Sequence, residues 1–197
     1  MIKLDINTGD SGKQIARLLK GLPVDSKNIL KTALNRTARD ALKALKAQTK
    51  KTYEVKASAF KTRGSKITIY NAKKSNLSAT IFISSKKLEL IDFKVSPKNP
   101  QPTPPKFFKG KVLKKNSLKP LGKYGNKAFL VRYPTGHITI AARKTNKKDP
   151  IATLHSPAIT QLIGSYKVYG FLKPKINKML GDELKKQAQK VLAKRNA

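Results

Sequence analysis

Apolar positions along this chain recur first at helical spacing, then in alternation, then at helical spacing again. That order sets the expected architecture. Ile2, Leu4 and Ile6 alternate with polar residues and predict a short opening strand. Thr8-Gly9-Asp10 reads as a turn, with Asp10 or Ser11 capping a helix to about Leu22 that Pro23 ends. The clearest helix starts near Asp25-Ser26 and runs to about Tyr53. Ile29, Leu30, Ala33, Leu34, Ala38, Ala41, Leu42 and Leu45 fall on one face of it, and Lys27, Lys31, Arg39, Lys43, Lys46, Lys50 and Lys51 mostly on the others. Its length is roughly seven turns. The apolar face is rich in Ala and lacks the Trp and Phe that anchor membrane-surface helices.

After a connecting segment over 55–63 with a short helical piece, the period changes. Lys66 to Tyr70, Leu77 to Ser84 and Leu88 to Val95 alternate or carry β-branched runs and predict strands, with Asn71 to Asn76 as a hairpin loop. Ser96 to Lys106 contains Pro97, Pro100, Pro102, Pro104 and Pro105. Proline removes ladder donors and fixes φ, so this segment is a stiff loop or arm rather than a central strand. It either reaches a neighbouring subunit or forms a plain surface loop, with a PxxP ligand as a third reading. Phe107 to Lys115 predicts another strand, and Asn116 to Gly125 a flexible basic loop. Ala128 to Tyr133 and His137 to Ala142 predict a hairpin around Pro134-Thr135-Gly136, followed by a polar loop over Arg143 to Asp149. Pro157 opens a helix to about Ile163, using proline's tolerance at a first helical position. A last helix spans about Val168 to Lys194, with Leu172, Ile176, Met179, Leu180, Leu184, Ala188, Val191 and Leu192 as its stripe and Pro174 as a kink or the true start.

Helices, then strands, then helices indicate α+β rather than alternating α/β. The expectation is one α+β domain over residues 1–197, with a long N-terminal amphipathic helix, a central antiparallel sheet, a C-terminal helix and the Pro-rich loop or arm at about 96–106.

Charge changes this picture from a generic domain to one with a partner. The chain holds 44 basic against 10 acidic side chains, a net charge of +34 over 197 residues. Between Phe93 and Lys148 there are fifteen lysines and arginines and no acid. Self-repulsion of this kind opposes compaction, so the excess serves a polyanion or acidic partner. Nucleic acid is the first candidate, because neutralising phosphates releases condensed counterions. Lysine outnumbers arginine 37 to 7. That suits non-specific phosphate contact better than guanine-reading Arg forks, with coding bias in an AT-rich genome as the competing account. Lys109, Lys111, Lys114, Lys115, Lys119 and Lys123 form the expected patch, facing either duplex DNA or acidic surfaces of neighbouring proteins.

Catalytic chemistry finds little support. Cysteine is absent, which removes disulfides, thiolate metal sites and Cys nucleophiles. His137 and His155 are the two histidines, and each reads as an ordinary hydrogen-bonding residue. No GxSxG elbow, GxxxxGK[ST] loop or GxGxxG after a strand occurs. Glu89 and Asp92 are the one carboxylate pair on the sheet portion, too few for a two-metal nuclease. No enzyme, metal or cofactor is expected. Tyr124, Phe129 and Tyr133 lie near basic residues and are candidates for base stacking, although Phe129 reads as core. No stretch approaches the ~20 apolar residues that span a bilayer, and Met1 to Asn7 is no signal peptide. The reading is a soluble chain made in the cytoplasm.

The order of several motifs resembles a known family. Ala33-Leu34-Asn35-Arg36-Thr37-Ala38-Arg39 resembles the early "A-x-N-R-x-A" helix of minor tail protein Z, the tail completion protein of lambda-like phages and prophages. Tyr53-Glu54-Val55-Lys56 is similar to the segment leaving that helix. Leu90-Ile91-Asp92-Phe93 looks like its "L-x-x-F" strand, and Asn126-Lys127-Ala128-Phe129 like its "A-F" element. Gly136-His137, Arg143, Pro150-Ile151-Ala152-Thr153-Leu154 and Pro157-Ala158-Ile159 resemble its "G-H…R…P-I-x-x-L-x-G-P-S" stretch. The chain departs at His155-Ser156-Pro157-Ala158 and in its added Pro-rich loop.

The resemblance implies a virion protein at the head-proximal end of the tail, acting late in tail maturation and in head–tail joining, and contacting the DNA end. Its implied partners are the tail terminator, other tail or neck proteins and further copies of itself in a sixfold ring. Double-stranded DNA is an additional partner, and no membrane is involved. Asn35, Arg36, Pro102, Pro104 and Pro105 are the candidate subunit contacts. The residues also allow local roles: Asn35 bonding a loop, and Arg36 pairing with Asp40 at i,i+4. A non-specific nucleic-acid-binding protein unrelated to virions is the alternative.

Overall fold

The computed structural model describes residues 1–7, 17, 26–61, 65–103 and 105–195. The helix expected up to Leu22 therefore lies outside the described residues, apart from Arg17, which is helical. The mixture of helix and sheet holds, and every described strand pairing is antiparallel. The chain divides into two compact units: 1–47, 66–84 and 163–197 form the first, and 48–65 with 85–162 the second.

The first unit is built on a sheet of order β1-β3-β2, with β1 over Ile2–Asn7, β2 over Lys66–Tyr70 and β3 over Ser78–Ser84. Alternation works as the sequence implies. Leu4, Ile6, Ala79, Ile81 and Ile83 are buried, whereas the cross-strand partners Asp5 and Thr80 point to the other face, where the Thr80 hydroxyl donates to Asp5 Oδ1 at 2.5 Å. Helix α1, Ser26–Thr52, buries Ile29, Leu30, Ala33, Leu34, Ala38, Ala41 and Leu45, leaving its lysines outward. The last helix is more complex than one regular element. A π-helical turn over Tyr166–Gly170 leads into α3, Phe171–Arg195, with Pro174 in its first turn. Pro174 therefore lies inside a helical run that begins at Tyr166, where it lacks the N–H that would donate one turn back. Of the α3 stripe, Leu172, Ile176, Leu180 and Leu184 are buried and Met179 is half-buried, and the stripe opens toward its end, where Leu192 is exposed. Leu4, Ile6, Leu45, Ile81 and Ile176 line one cavity of about 250 Å³, which places α1 and α3 over the same sheet face.

The second unit is a cluster of short antiparallel strands. Strands β8 (Gly122–Lys123), β9 (Asn126–Arg132), β10 (Ile138–Arg143) and β11 (Ile151–Thr153) lie in the order β11-β10-β9-β8. Strands β5 (Lys94–Ser96), β6 (Lys109–Lys111) and β7 (Lys119–Pro120) form a second sheet, and β4 (Leu88–Glu89) pairs with β12 (His155–Ser156). Val95, Ala128, Ile140, Ala142 and Leu154 are the core, with Leu90, Ile91 and Leu121 against it. Helix α2, Ile159–Gly164, follows.

Three expectations are corrected here. The strand over Leu88 to Val95 is split by a 3₁₀ turn at Leu90–Asp92. Leu88, Phe93 and Val95 are all buried, yet in one continuous strand Leu88 would face opposite to the other two. The turn changes the face. The strand over Phe107 to Lys115 shrinks to Lys109–Lys111. The loop over Asn116 to Gly125 contains β7 and β8. Two-residue strands rich in Lys, Gly and Pro carry no alternation to read, and they exist because Leu121 switches the chain between sheets. Its N–H donates to Phe108 C=O at 2.7 Å, and its C=O accepts from Ala128 N–H at 3.0 Å.

Candidate polyanion interface

The six lysines expected to share one patch are divided by the pleat. In β5-β6-β7, Lys94 is opposite Lys111, Ser96 opposite Lys109, and Gly110 opposite both Val95 and Lys119. Cross-strand partners share a face and neighbours along a strand do not. Lys94, Lys109 and Lys111 thus project to one side and Lys119 to the other. Lys111 is also committed internally. Its Nζ lies 3.1 Å from Glu54 Oε1 and donates to Lys114 C=O at 2.8 Å, with the side chain 15% exposed. Lys114 and Lys115 are exposed in the turn after β6, and Lys123 stands near the tip of the β8–β9 hairpin.

A different basic site is assembled instead. A hollow of about 430 Å³ is lined by Lys50, Lys56, Lys94, Lys98 and Lys114, with Tyr53, Glu54, Val55 and Phe93. The backbone explains the convergence. Leaving α1, the chain bridges Tyr53 to Leu113, Glu54 N–H donates to Val112 C=O at 2.8 Å, and Lys114 N–H donates to Thr52 C=O at 3.1 Å. Lys56 N–H then donates to Asp92 C=O at 2.9 Å, which seats the segment beside Phe93 and Lys94. Phe93, Tyr53 and Val55 are buried, so the hollow has an apolar floor and a cationic rim. Its one acid, Glu54, is matched by Lys111. The five rim lysines are exposed, and none is ion-paired among the described residues. Lys50 and Lys51 also sit in the last turn of α1, where cations offset the negative end of the helix dipole. Only Lys114 belongs to the expected patch. Lys94 and Lys98 share its acid-free stretch, and Lys50 and Lys56 come from the end of α1 and the segment after it.

A second cleft, about 600 Å³, is lined by Lys86, Lys87, Leu88, Glu89, Ile91, Asp92, His137 and His155. His137 Nε2 lies 3.2 and 3.1 Å from the two Glu89 carboxylate oxygens, and Tyr133 stacks on the His137 ring at 6.0 Å. Burial pushes the Asp92 carboxyl above the usual range, against the Glu89 N–H and Lys56, which favour its charged form. Among the described residues, no group of three or more His, Asp or Glu is arranged to hold a metal ion, and no helix is long and apolar enough to cross a membrane.

The residues named as subunit contacts have these positions. Asn35 bonds a loop, as its place beside the apolar stripe implies: Nδ2 donates to Ala72 C=O at 3.2 Å and Oδ1 accepts from Ala72 N–H at 2.7 Å. Arg36 does not pair with Asp40. Its guanidinium is 3.4 Å from Glu183 on α3, a partner that helical spacing within α1 cannot indicate. Gln187 also donates to Glu183, at 2.6 Å, and fixes it for Arg36. Pro102 is exposed and Pro105 half-buried, and Pro104 lies outside the described residues. No family model, curated protein or solved structure matches the chain.

Proposed function

We propose that this chain is a structural, non-catalytic component of a phage tail, acting at the head-proximal end in tail completion and head–tail joining, and that the lysine-rimmed hollow is where it meets a polyanion. The tail role rests on the order of its motifs, from Asn35-Arg36 to Pro157, and on α1 read as a long amphipathic N-terminal helix. The polyanion role rests on one observation: five lysines from three segments converge on one hollow whose single acid is already paired. Like charges held around a hollow repel one another, and an entering chain of phosphates relieves that cost. Lysine ammoniums are point charges that suit phosphate without fixing base sequence. Duplex DNA is accordingly the partner we assign to the hollow.

Salt-dependent binding tests this reading. Replacing Lys50, Lys94 and Lys98 with Gln should weaken binding alike for all duplex sequences. The slope of log affinity against log salt should flatten by about 0.9 for each phosphate that is no longer neutralised. Lys111→Gln is the control. It should leave the slope unchanged and instead lower stability by about 1–2 kcal/mol, because it strips Glu54 of its charged hydrogen-bond partner. Absence of duplex binding by the purified protein at low salt would overturn the DNA assignment. The alternative, a nucleic-acid binder unrelated to virions, needs only the charge and the hollow. It predicts binding by a protein that does not leave the cell with particles.

A further inference from the structure

We infer that the tip of the β8–β9 hairpin is a stacking finger for an unpaired nucleobase, with Tyr124 as the platform. The inference rests on the nucleic-acid reading above and adds a ligand class, single-stranded nucleic acid, at a place separate from the lysine-rimmed hollow. Three observations carry it.

The first is the backbone. Tyr124 has φ +57° and Gly125 φ +73°, the two positive values that a type I′ hairpin turn requires. Gly, Asn and Asp take such positions readily, and a tyrosine does so at a cost. Tyr124 is the one non-glycine residue with positive φ among the described residues. Strain of this kind persists where the surroundings enforce it, and here they do. Asn126 Nδ2 lies within donating distance of Tyr124 C=O at 3.3 Å, Arg143 C=O at 3.1 Å and Thr145 C=O at 3.2 Å, tying the tip to the loop after β10. Gly122 meets Asn126 so closely that a Cβ there would lie 2.7 Å from its carbonyl oxygen. The turn is held tight.

The second is what the turn displays. The Tyr124 side chain packs into no core and the residue is 51% exposed. A hairpin tip that needed only to close would do so better with Asn-Gly. The third is the surrounding chemistry. Lys123 Nζ lies 4.7 Å from the Tyr124 ring centroid, and Lys127 Nζ 4.7 Å from the Phe107 ring. Phe107, Pro120, Leu121 and the flanking lysines line a shallow hollow of about 350 Å³ beside the tip. An aromatic face next to cations is the combination that holds a base by stacking and its phosphate by charge. Duplex DNA keeps its bases stacked on each other, so this finger discriminates for unpaired ones.

The test compares an oligothymidylate strand with a mixed-sequence duplex at equal salt, using the full chain with Tyr124, Tyr124→Asn and Tyr124→Phe. Tyr124→Asn should relieve the backbone strain and raise Tm by a few degrees while weakening strand binding about 5- to 150-fold, with duplex binding unchanged. Tyr124→Phe should retain strand binding. A strand carrying 2-aminopurine should lose fluorescence on binding the unaltered protein and keep it with Tyr124→Asn. If Tyr124→Asn binds the strand as tightly as the unaltered chain while duplex binding stands, the finger is wrong and the hollow survives. If the unaltered protein binds neither strand nor duplex, the nucleic-acid reading falls and takes this inference with it.

Discussion

Asp92 holds a half-buried carboxyl whose folded state keeps its proton to higher pH than the unfolded chain does. From the unfolded value of 3.8 up to the raised folded value, the native state binds more protons. Stability therefore falls as pH climbs through that window, and the cost persists above it. Asp92→Asn keeps an acceptor for the Glu89 N–H and carries no charge. It should be more stable than the unaltered protein at pH 7, with the difference fading below pH 3.8. Urea melts at both ends of the range check this, and equal stability at pH 7 would show that Lys56 and His137 already cancel the burial cost. At this scale the sequence was legible where a residue's role is local. Asn35 beside an apolar stripe pointed to a loop hydrogen bond, and one forms with Ala72. It was not legible for Arg36, whose partner Glu183 is 147 positions away.

Elements with a strong period were read well and elements made only by pairing were not. Strands β1, β3 and β10 bury alternate or continuous apolar residues that the chain announces, while the apolar runs of β2 and β9 are half-buried apart from Ala128. Strands β7 and β8 have no such signal, since β6 and β9 impose them from outside. The Pro-rich segment is the loop of the β5–β6 hairpin, because Ser96 pairs with Lys109 across its base. Residues 98–103 are exposed, and Phe108 at the far end is buried. Deleting Lys98 to Pro105 should therefore leave the fold intact, since shortening a loop costs little closure entropy, while weakening incorporation into tails. Circular dichroism melts and tail assembly assays separate the two effects. Unfolding on deletion would mean that the segment is packed structure.

For the molecule as a whole, a charge of +34 per chain opposes packing like copies together, so any assembly of this chain must include an anionic partner. We expect it to function in a ring with heterologous contacts, sixfold to match a tail tube. Electron microscopy of tails labelled on this protein should show density at the head-proximal end, and label at the tip or along the tube would sink the placement. The sequence by itself determined the helix-and-sheet mixture, the antiparallel hairpins, the buried stripes of α1 and α3 and the excess of positive charge. Each follows from periodicity or composition, properties of residues near one another in the chain. Only the tertiary structure decided which lysines act together. It withdrew Lys111 into a pair with Glu54, turned Lys119 to the opposite face from Lys109, and gathered Lys50, Lys56, Lys94, Lys98 and Lys114 around one hollow. The physical reason is that charge acts through space. Its neighbours are set by strand register and by where α1 delivers the chain, and neither is written in the spacing of the lysines themselves.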